Sequence, residues 1–308
     1  MTLIEYVNRA GARLDEAGVS FGHGTTNAFD EAVWLVLWCL RLPLDDLDGV
    51  ADRRLEPDEL VALDALLARR IETRRPAAYL TGEAWLQGVP FTVDERVIVP
   101  RSLIAEVLAE GLIDPWLPAD TGRVLDLCTG NGSLAVLAAM AWPDVAVDAA
   151  DLSADALAVA RLNVDRHGLG ARIALHQGDG LAAVAGRVYD LILCNPPYVN
   201  AESMAALPAE FRAEPALALA GGADGMDFIR TLLAQAPAQM SADAVLVLEI
   251  GNERTHFEAA FPALEVVWLP TQATDDAVLL VTRAALANAG AVPAARAPAS
   301  AQKPKDRP

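Results

Sequence analysis

Apolar positions in the first part of the chain recur with a helical period. Leu3, Val7, Ala10 and Leu14 fall three or four residues apart, on one helix face. Ala32 to Leu42 is apolar almost all round, which predicts a buried helix. Pro57 opens a third segment, PDELVALDALLARRIETRR, with proline in the first turn and acids behind it. Three such segments predict a small all-helical bundle over residues 1–75. The pattern changes at Pro76. Gly82, Gly88 and Pro90 punctuate short β-prone pieces around Trp85, Phe91 to Val93 and Val97 to Val99, which predicts a β-hairpin linker over 76–100. Arg101 to Leu112 again has helical character.

From Arg123 the pattern alternates. Strands are expected at 123–128, 145–150, 172–177, 189–194, 244–250, 264–269 and 277–282, with helices at 132–141, 153–167, 226–240 and 254–261. Alternation of this kind predicts an α/β domain over 101–284, a mostly parallel sheet covered on both faces. The last two strands are close in sequence, so one of them is a candidate for antiparallel pairing. Residues 199–222 form a longer connection than compact domains usually carry, and such loops are usually functional. Residues 285–308, rich in alanine and proline, read as a disordered tail.

Composition narrows the class. The 308 residues are 53% hydrophobic and 21% charged, the balance of a globular chain with a sizeable core. Cys39, Cys128 and Cys194 stand in no paired spacing, so neither a disulfide framework nor a metal site is indicated. The longest apolar run, Ala32 to Leu40, is far short of the ~20 residues that span a bilayer. Acidic residues come too early for a signal peptide. A cytoplasmic location without a membrane partner is the expectation. The formal net charge is −18, with −14 of it on residues 101–284. Such a surface repels phosphate backbones and attracts basic partners; solubility alone is the competing explanation.

The first strand of the second region runs into a glycine loop, Asp126-Leu127-Cys128-Thr129-Gly130-Asn131-Gly132-Ser133. Gly130 and Gly132 let the backbone turn sharply against a ligand, and the following helix N-terminus favours a carboxylate. Asp151 closes the second strand, where a carboxylate accepts from ribose hydroxyls. Asp179 closes the third and is placed to meet an adenine amino group. Gly130, Gly132 and Ala135, with Asp151 about 20 residues on, also fit a dinucleotide fingerprint. Asp126 weighs against that reading, because its charge would face a pyrophosphate. S-adenosylmethionine has no phosphate, and its α-ammonium group suits a carboxylate, held directly or through water.

The strand Asp190 to Cys194 ends in Asn195-Pro196-Pro197-Tyr198. Ligands of open α/β sheets sit at the carboxyl ends of strands, so Asn195 is expected beside the glycine loop. The prolines fix the backbone and remove two donors. The Asn195 side-chain oxygen and the Pro196 carbonyl then each accept from one hydrogen of an –NH2 group, and Tyr198 offers a flat face to a planar amide or base. An amide nitrogen is a poor nucleophile. Two acceptors on its hydrogens return electron density to it and hold it in line with a sulfonium methyl. No strong general base is needed, in keeping with four histidines (His23, His167, His176, His256) outside these motifs, for which surface or loop roles are expected.

These segments resemble the glutamine methyltransferases that modify proteins of the translation apparatus. The likeness extends over most of the chain and includes Ala78-Tyr79-Leu80-Thr81, Ala84-Trp85, Val93 through Ser102, the glycine loop, Asn195 through Val199, and Glu214 through Gly222 with Asp224-Gly225. It implies a helical N-terminal substrate-recognition domain, a β-hairpin linker and a seven-stranded class I (Rossmann-like) methyltransferase domain. S-adenosyl-L-methionine is implied as cofactor, held by Asp126, Cys128, Thr129, Gly130, Asn131, Gly132, Asp151, Asp179 and Asn195. The substrate amide is implied to sit at Asn195, Pro196, Pro197 and Tyr198, and Arg101 either shapes substrate access or forms a structural salt bridge. One branch of the family modifies release factors, the other a glutamine of large-subunit ribosomal protein uL3. Cys128, where the release-factor branch usually has glycine, and Ser102-Leu103, where it usually has proline and glutamate, resemble the second branch. A basic protein partner, uL3, is thereby implied. Adenine-specific DNA methyltransferases share the Asn-Pro-Pro-Tyr chemistry but carry basic surfaces. Here the only lysines are Lys303 and Lys305, so direct DNA binding is not expected. A nicotinamide-dependent oxidoreductase would have no use for Asn195; a non-catalytic module that keeps the cofactor as a ligand is the remaining alternative.

Overall fold

The computed structural model describes residues 1–289. Helix α1 (Leu3–Glu16) starts at a capping box: the Thr2 hydroxyl accepts from the Glu5 amide, and the Glu5 carboxylate accepts from the Thr2 amide. Two donors that a helix cannot satisfy internally are thereby met. The stripe Leu3, Tyr6, Val7, Ala10 and Leu14 is buried against α2 (Ala28–Cys39). After the single turn α3 (Leu47–Val50), α4 (Pro57–Thr73) completes the bundle. Pro76 does end this helical run, but it also opens α5 (Ala77–Thr81), which the proline masked in the sequence. The hairpin follows as β1 (Glu83–Leu86) and β2 (Val89–Thr92). Its turn residues Gln87 and Gly88 both have positive φ, 50° and 73°, as the primed hairpin turns require. The expected third piece, Val97 to Val99, is not a strand. Side chains hold it instead: the Tyr79 hydroxyl donates to the Val97 carbonyl, and the Val99 amide donates to Glu214.

Beyond α6 (Ile104–Ala109) come β3 (Arg123–Leu127), α7 (Ser133–Ala141), β4 (Ala146–Asp151), α8 (Ala154–Arg166), β5 (Ile173–Gln177) and β6 (Tyr189–Cys194). Two short helices, α9 (Ala201–Ala206) and α10 (Ala209–Arg212), occupy the long connection to α11 (Asp227–Gln235). Then follow β7 (Met240–Glu249), α12 (Arg254–Ala260), β8 (Val267–Leu269), β9 (Val278–Thr282) and α13 (Arg283–Asn288). All seven expected strands of this region pair into one sheet, in the order β5-β4-β3-β6-β7-β9-β8. Only β9 runs antiparallel to its neighbours. Separate apolar clusters cover the two faces. The winding reverses between β3 and β6, the place where open α/β sheets hold their ligands.

Several boundaries differ from the sequence pattern. The helix expected over 226–240 stops at Gln235, because Pro237 cannot donate to a continuing turn, and β7 starts early, at Met240. The tail expected from 285 loses its start to α13, whose Leu286 is buried; the rest of that expectation, 290–308, lies outside the described residues. His23, expected on a surface or loop, is only 1% exposed.

Arg70 on α4 is fully buried. Its guanidinium donates to Glu31 on α2 at 2.8 Å, to the Ser20 carbonyl at 3.1 Å and to Glu210 on α10 at 3.4 Å. A buried cation joins the helical bundle to the long connection of the α/β domain. Removing one partner of such a cluster strands the others without solvent. Arg70→Ala should lower unfolding free energy by about 3–5 kcal/mol, read by urea denaturation. A loss under about 1 kcal/mol would mean that water replaces the guanidinium.

Candidate functional site

At the switch point β3 and β6 pair directly, with Leu127 opposite Cys194. The chain leaves both strands at one level, so the glycine loop and Asn195 become neighbours. A cavity there is lined by Cys128, Thr129, Gly130, Asn131, Asp151, Asp179, Asn195 and Pro197 among the expected residues. Asp126, Gly132, Pro196 and Tyr198 do not line it.

The loop is held by its own hydrogen bonds. The Thr129 amide donates to the Ala150 carbonyl at 3.0 Å, and the Gly130 amide to Asp151 Oδ2 at 2.9 Å. Asp151 Oδ1 accepts from the Ser153 amide at 2.8 Å. Each Asp151 oxygen keeps a lone pair for a further donor, and burial raises its carboxyl above the ordinary range. At Gly130, φ +56°, an added Cβ would meet nothing within 4 Å, so the backbone borders open space. Gly132 serves packing: a Cβ there would stand 3.2 Å from Ala160 Cβ on α8.

Asp126 lies beneath the loop, 1% exposed. Its Oδ2 accepts from the Thr129 hydroxyl at 2.5 Å and the Ala135 amide at 2.9 Å. Its Oδ1 is buried without a partner among the described residues. Burial pushes this carboxyl up to about 7, against the pull of those two bonds. An orphaned acceptor of this kind calls for a donor, and a ligand ammonium or a water fits it.

On the other strand the Asn195 side chain and the Pro196 carbonyl form no hydrogen bonds among the described residues. Tyr198 is held at the end of β7. Its hydroxyl donates to Glu249 Oε1 at 3.3 Å, and its ring lies so close to Gly251 that a Cβ there would stand 2.5 Å away. Asp179 lines the cavity two residues past the end of β5, opening a 3-10 turn.

Four residues escaped the sequence reading. Glu249, buried at the end of β7, accepts from the Ser102 hydroxyl at 2.5 Å, the Leu103 amide at 2.9 Å and Tyr198. Burial raises its carboxyl. The only sequence signal was an acid ending an apolar strand. Glu214 receives Arg101 through two bonds, 2.6 and 2.7 Å, and the Val99 amide at 2.9 Å; Arg101 forms this salt bridge and also lines the cavity. Burial alone would raise Glu214, but His23, 3.5 Å away, and Arg101 outweigh it and hold it at about 2. Asn163 on α8 is fully buried and bonds both polar groups of the Thr92 backbone, at 2.7 and 3.0 Å, and the Asn131 carbonyl at 2.9 Å. Phe228 of α11 adds an apolar wall beside Gly180. Interior asparagine and phenylalanine carry no local signature.

A family model described as the methyltransferase small domain matches residues 105–223. Among curated relatives, the chain is 57% identical over 284 residues to the ribosomal protein uL3 glutamine methyltransferase of Bordetella pertussis, covering 92% of this chain and 95% of that one. It is 55% identical to the protein of that description from Burkholderia pseudomallei, covering 91% and 94%. The one from Neisseria gonorrhoeae is 48% identical, covering 92% and 94%.

Cys128 has φ +61°, a left-handed conformation for a residue with a Cβ. That geometry costs ~1–2 kcal/mol. Glycine removes the strain but loosens the unfolded chain by ~0.5–1 kcal/mol. Cys128→Gly should therefore raise stability by up to about 1 kcal/mol, whereas Cys128→Val should lower it. Urea midpoints check the order; a Val variant as stable as the Gly variant would contradict it.

Proposed function

The chain belongs to the ribosomal protein uL3 glutamine methyltransferases, being 46–57% identical to curated members over 91–93% of its length, and on that premise we propose that it methylates the side-chain amide nitrogen of a glutamine in uL3 with S-adenosylmethionine. The observation that carries this reading is the unpartnered Asn195 side chain on the wall of the cavity at the β3–β6 switch point.

Bound there, S-adenosylmethionine supplies a methyl group on an electrophilic sulfonium centre. The residues present fit that cofactor. Asp151 accepts from ribose hydroxyls with the lone pairs its backbone bonds leave free. Leu152, half exposed on the cavity wall, and Phe228 offer apolar faces to a purine. The orphaned Asp126 Oδ1 accepts from an ammonium group or a water bound to it. Asn195 Oδ1 and the Pro196 carbonyl accept from the two amide hydrogens, orient the nitrogen, and gain strength as positive charge develops on it. Glu249 fixes the Tyr198 ring behind them. The acidic surface suits a basic ribosomal protein and opposes a DNA backbone. No described helix is long and apolar enough to cross a membrane.

Asn195→Ala removes one acceptor and leaves the loop intact. Single-turnover methyl transfer at saturating cofactor should fall roughly 100-fold or more, while cofactor affinity holds within about threefold. Near wild-type transfer would reduce the Pro-Pro turn to a structural element.

Proton linkage tests Asp126. The free carboxyl, raised to about 7, is mostly protonated at about pH 6, and a neighbouring ammonium favours its ionised form. Cofactor binding at that pH should release close to one proton, with release fading above about pH 8. Calorimetry in buffers of different ionisation heat reads this directly. Identical apparent heats in all buffers would remove Asp126 from cofactor binding.

A further inference from the structure

A second cavity, about 530 Å³ in volume, opens between α2 and the hairpin and shares no lining residue with the first. Asp30, Val33 and Trp34 reach it from one face of α2, spaced i, i+3, i+4. Asp45 borders it from the segment after α2, and Trp85 from β1. Its wall combines two indoles, Val33 and Leu44 with two carboxylates and Thr25, and carries no lysine, arginine or histidine.

Three other acids of the bundle are paired with arginine. Asp64 meets Arg9 and Arg13, Glu59 meets Arg53, and Glu31 meets Arg70. Asp45 forms no hydrogen bond or ion pair among the described residues, and Asp30 bonds only within the helix cap, to Asn27. Trp85 is 45% exposed, a large apolar surface left wet on a two-stranded hairpin. A Cβ added at Gly24 would stand 3.4 Å from the Trp34 ring, so glycine keeps that side of the space open. Indole faces attract cations through their quadrupole, and adjacent carboxylates strengthen the attraction. Both carboxylates are exposed; they repel an anion and add nothing to the hold on a neutral group.

We propose that this cavity holds an arginine or lysine side chain of the basic protein substrate, at a point separate from the methylated glutamine. The identity of the substrate rests on the methyltransferase reading above; the cation preference rests on the cavity alone. The contact makes affinity for the whole substrate depend on a second site, in the manner of linked binding elements.

The test has two arms. Acetyl-tetra-arginine amide is titrated into the full chain while tryptophan fluorescence is followed, with acetyl-tetra-glutamine amide as the neutral control. The wild type should bind the cationic peptide saturably and ignore the neutral one. Asp45→Asn, which keeps the shape, should weaken binding about fivefold, and Trp85→Leu by about tenfold. In the second arm, methylation is measured on intact uL3 and on a short uncharged peptide that contains the target glutamine. The Asp30→Asn/Asp45→Asn variant should raise KM for the intact protein about tenfold with kcat unchanged, and should leave the peptide's KM alone. Equal tetra-arginine binding by wild type and variants, absence of binding by the wild type, or an unchanged KM for the intact protein overturns the proposal. Failure of the wild type to methylate either glutamine substrate overturns the methyltransferase reading instead, and the titration then still decides whether the cavity takes a cation.

Discussion

Two carboxylates one turn apart, Glu210 and Glu214, bind three parts of the chain into one body. Glu210 accepts from Arg70 and Arg74 of the helical bundle. Glu214 accepts from Arg101 and from the Val99 amide of the linker, with buried His23 of the bundle beside it. Between them Phe211 packs against the His23 ring, centroids 4.2 Å apart, and lies under the Arg101 guanidinium. The next residues, Pro215, Leu217 and Ala218, form part of the cofactor cavity wall. An ionic cluster spanning more than 100 residues of sequence therefore sets where that wall stands. Its members gain little from one another relative to apolar packing, but each is costly to lose singly.

The opposite wall is fixed by amide and carboxyl side chains. Asn163 reaches from α8 to both polar groups of Thr92 and to the Asn131 carbonyl, so the hairpin end and the glycine loop share one side chain. Asp126 and Asp151 restrain the loop from below and from the side. The result is a site whose backbone is arranged before any ligand arrives. Asp126 Oδ1 and the Asn195 side chain are left with capacity to bind. Preorganisation of this kind is what electrostatic catalysis requires, since acceptors already in place do not have to reorient as charge develops.

Much of this was legible from residue pattern. Runs such as Val124-Leu125 and Leu191-Ile192-Leu193 announce strands because a sheet covered on both faces buries every position. Asn195 and the glycine loop were found as one site because the rule for strand ends depends only on order along the chain. What the sequence concealed depends on distant partners. Tyr198 is expected to offer its ring face to the substrate, but nothing local announces that Glu249, 51 residues on, takes its hydroxyl. His23 looked peripheral until Phe211 and Glu214 enclosed it. Pro76 marked the end of one helix and hid the start of another, since proline serves both positions.

The antiparallel strand β9 also determines where the described chain leaves the sheet. Val278 pairs with Glu249, level with the site, and Thr282 pairs with Val245 four residues back toward the start of β7. At roughly 3.3 Å per residue, the chain exits some distance below the cavity, and α13 then folds against β7. A parallel β9 would have delivered this end to the rim of the active site. As built, the reactive face is ringed by loops between elements, and the last described helix lies against β7, away from that rim.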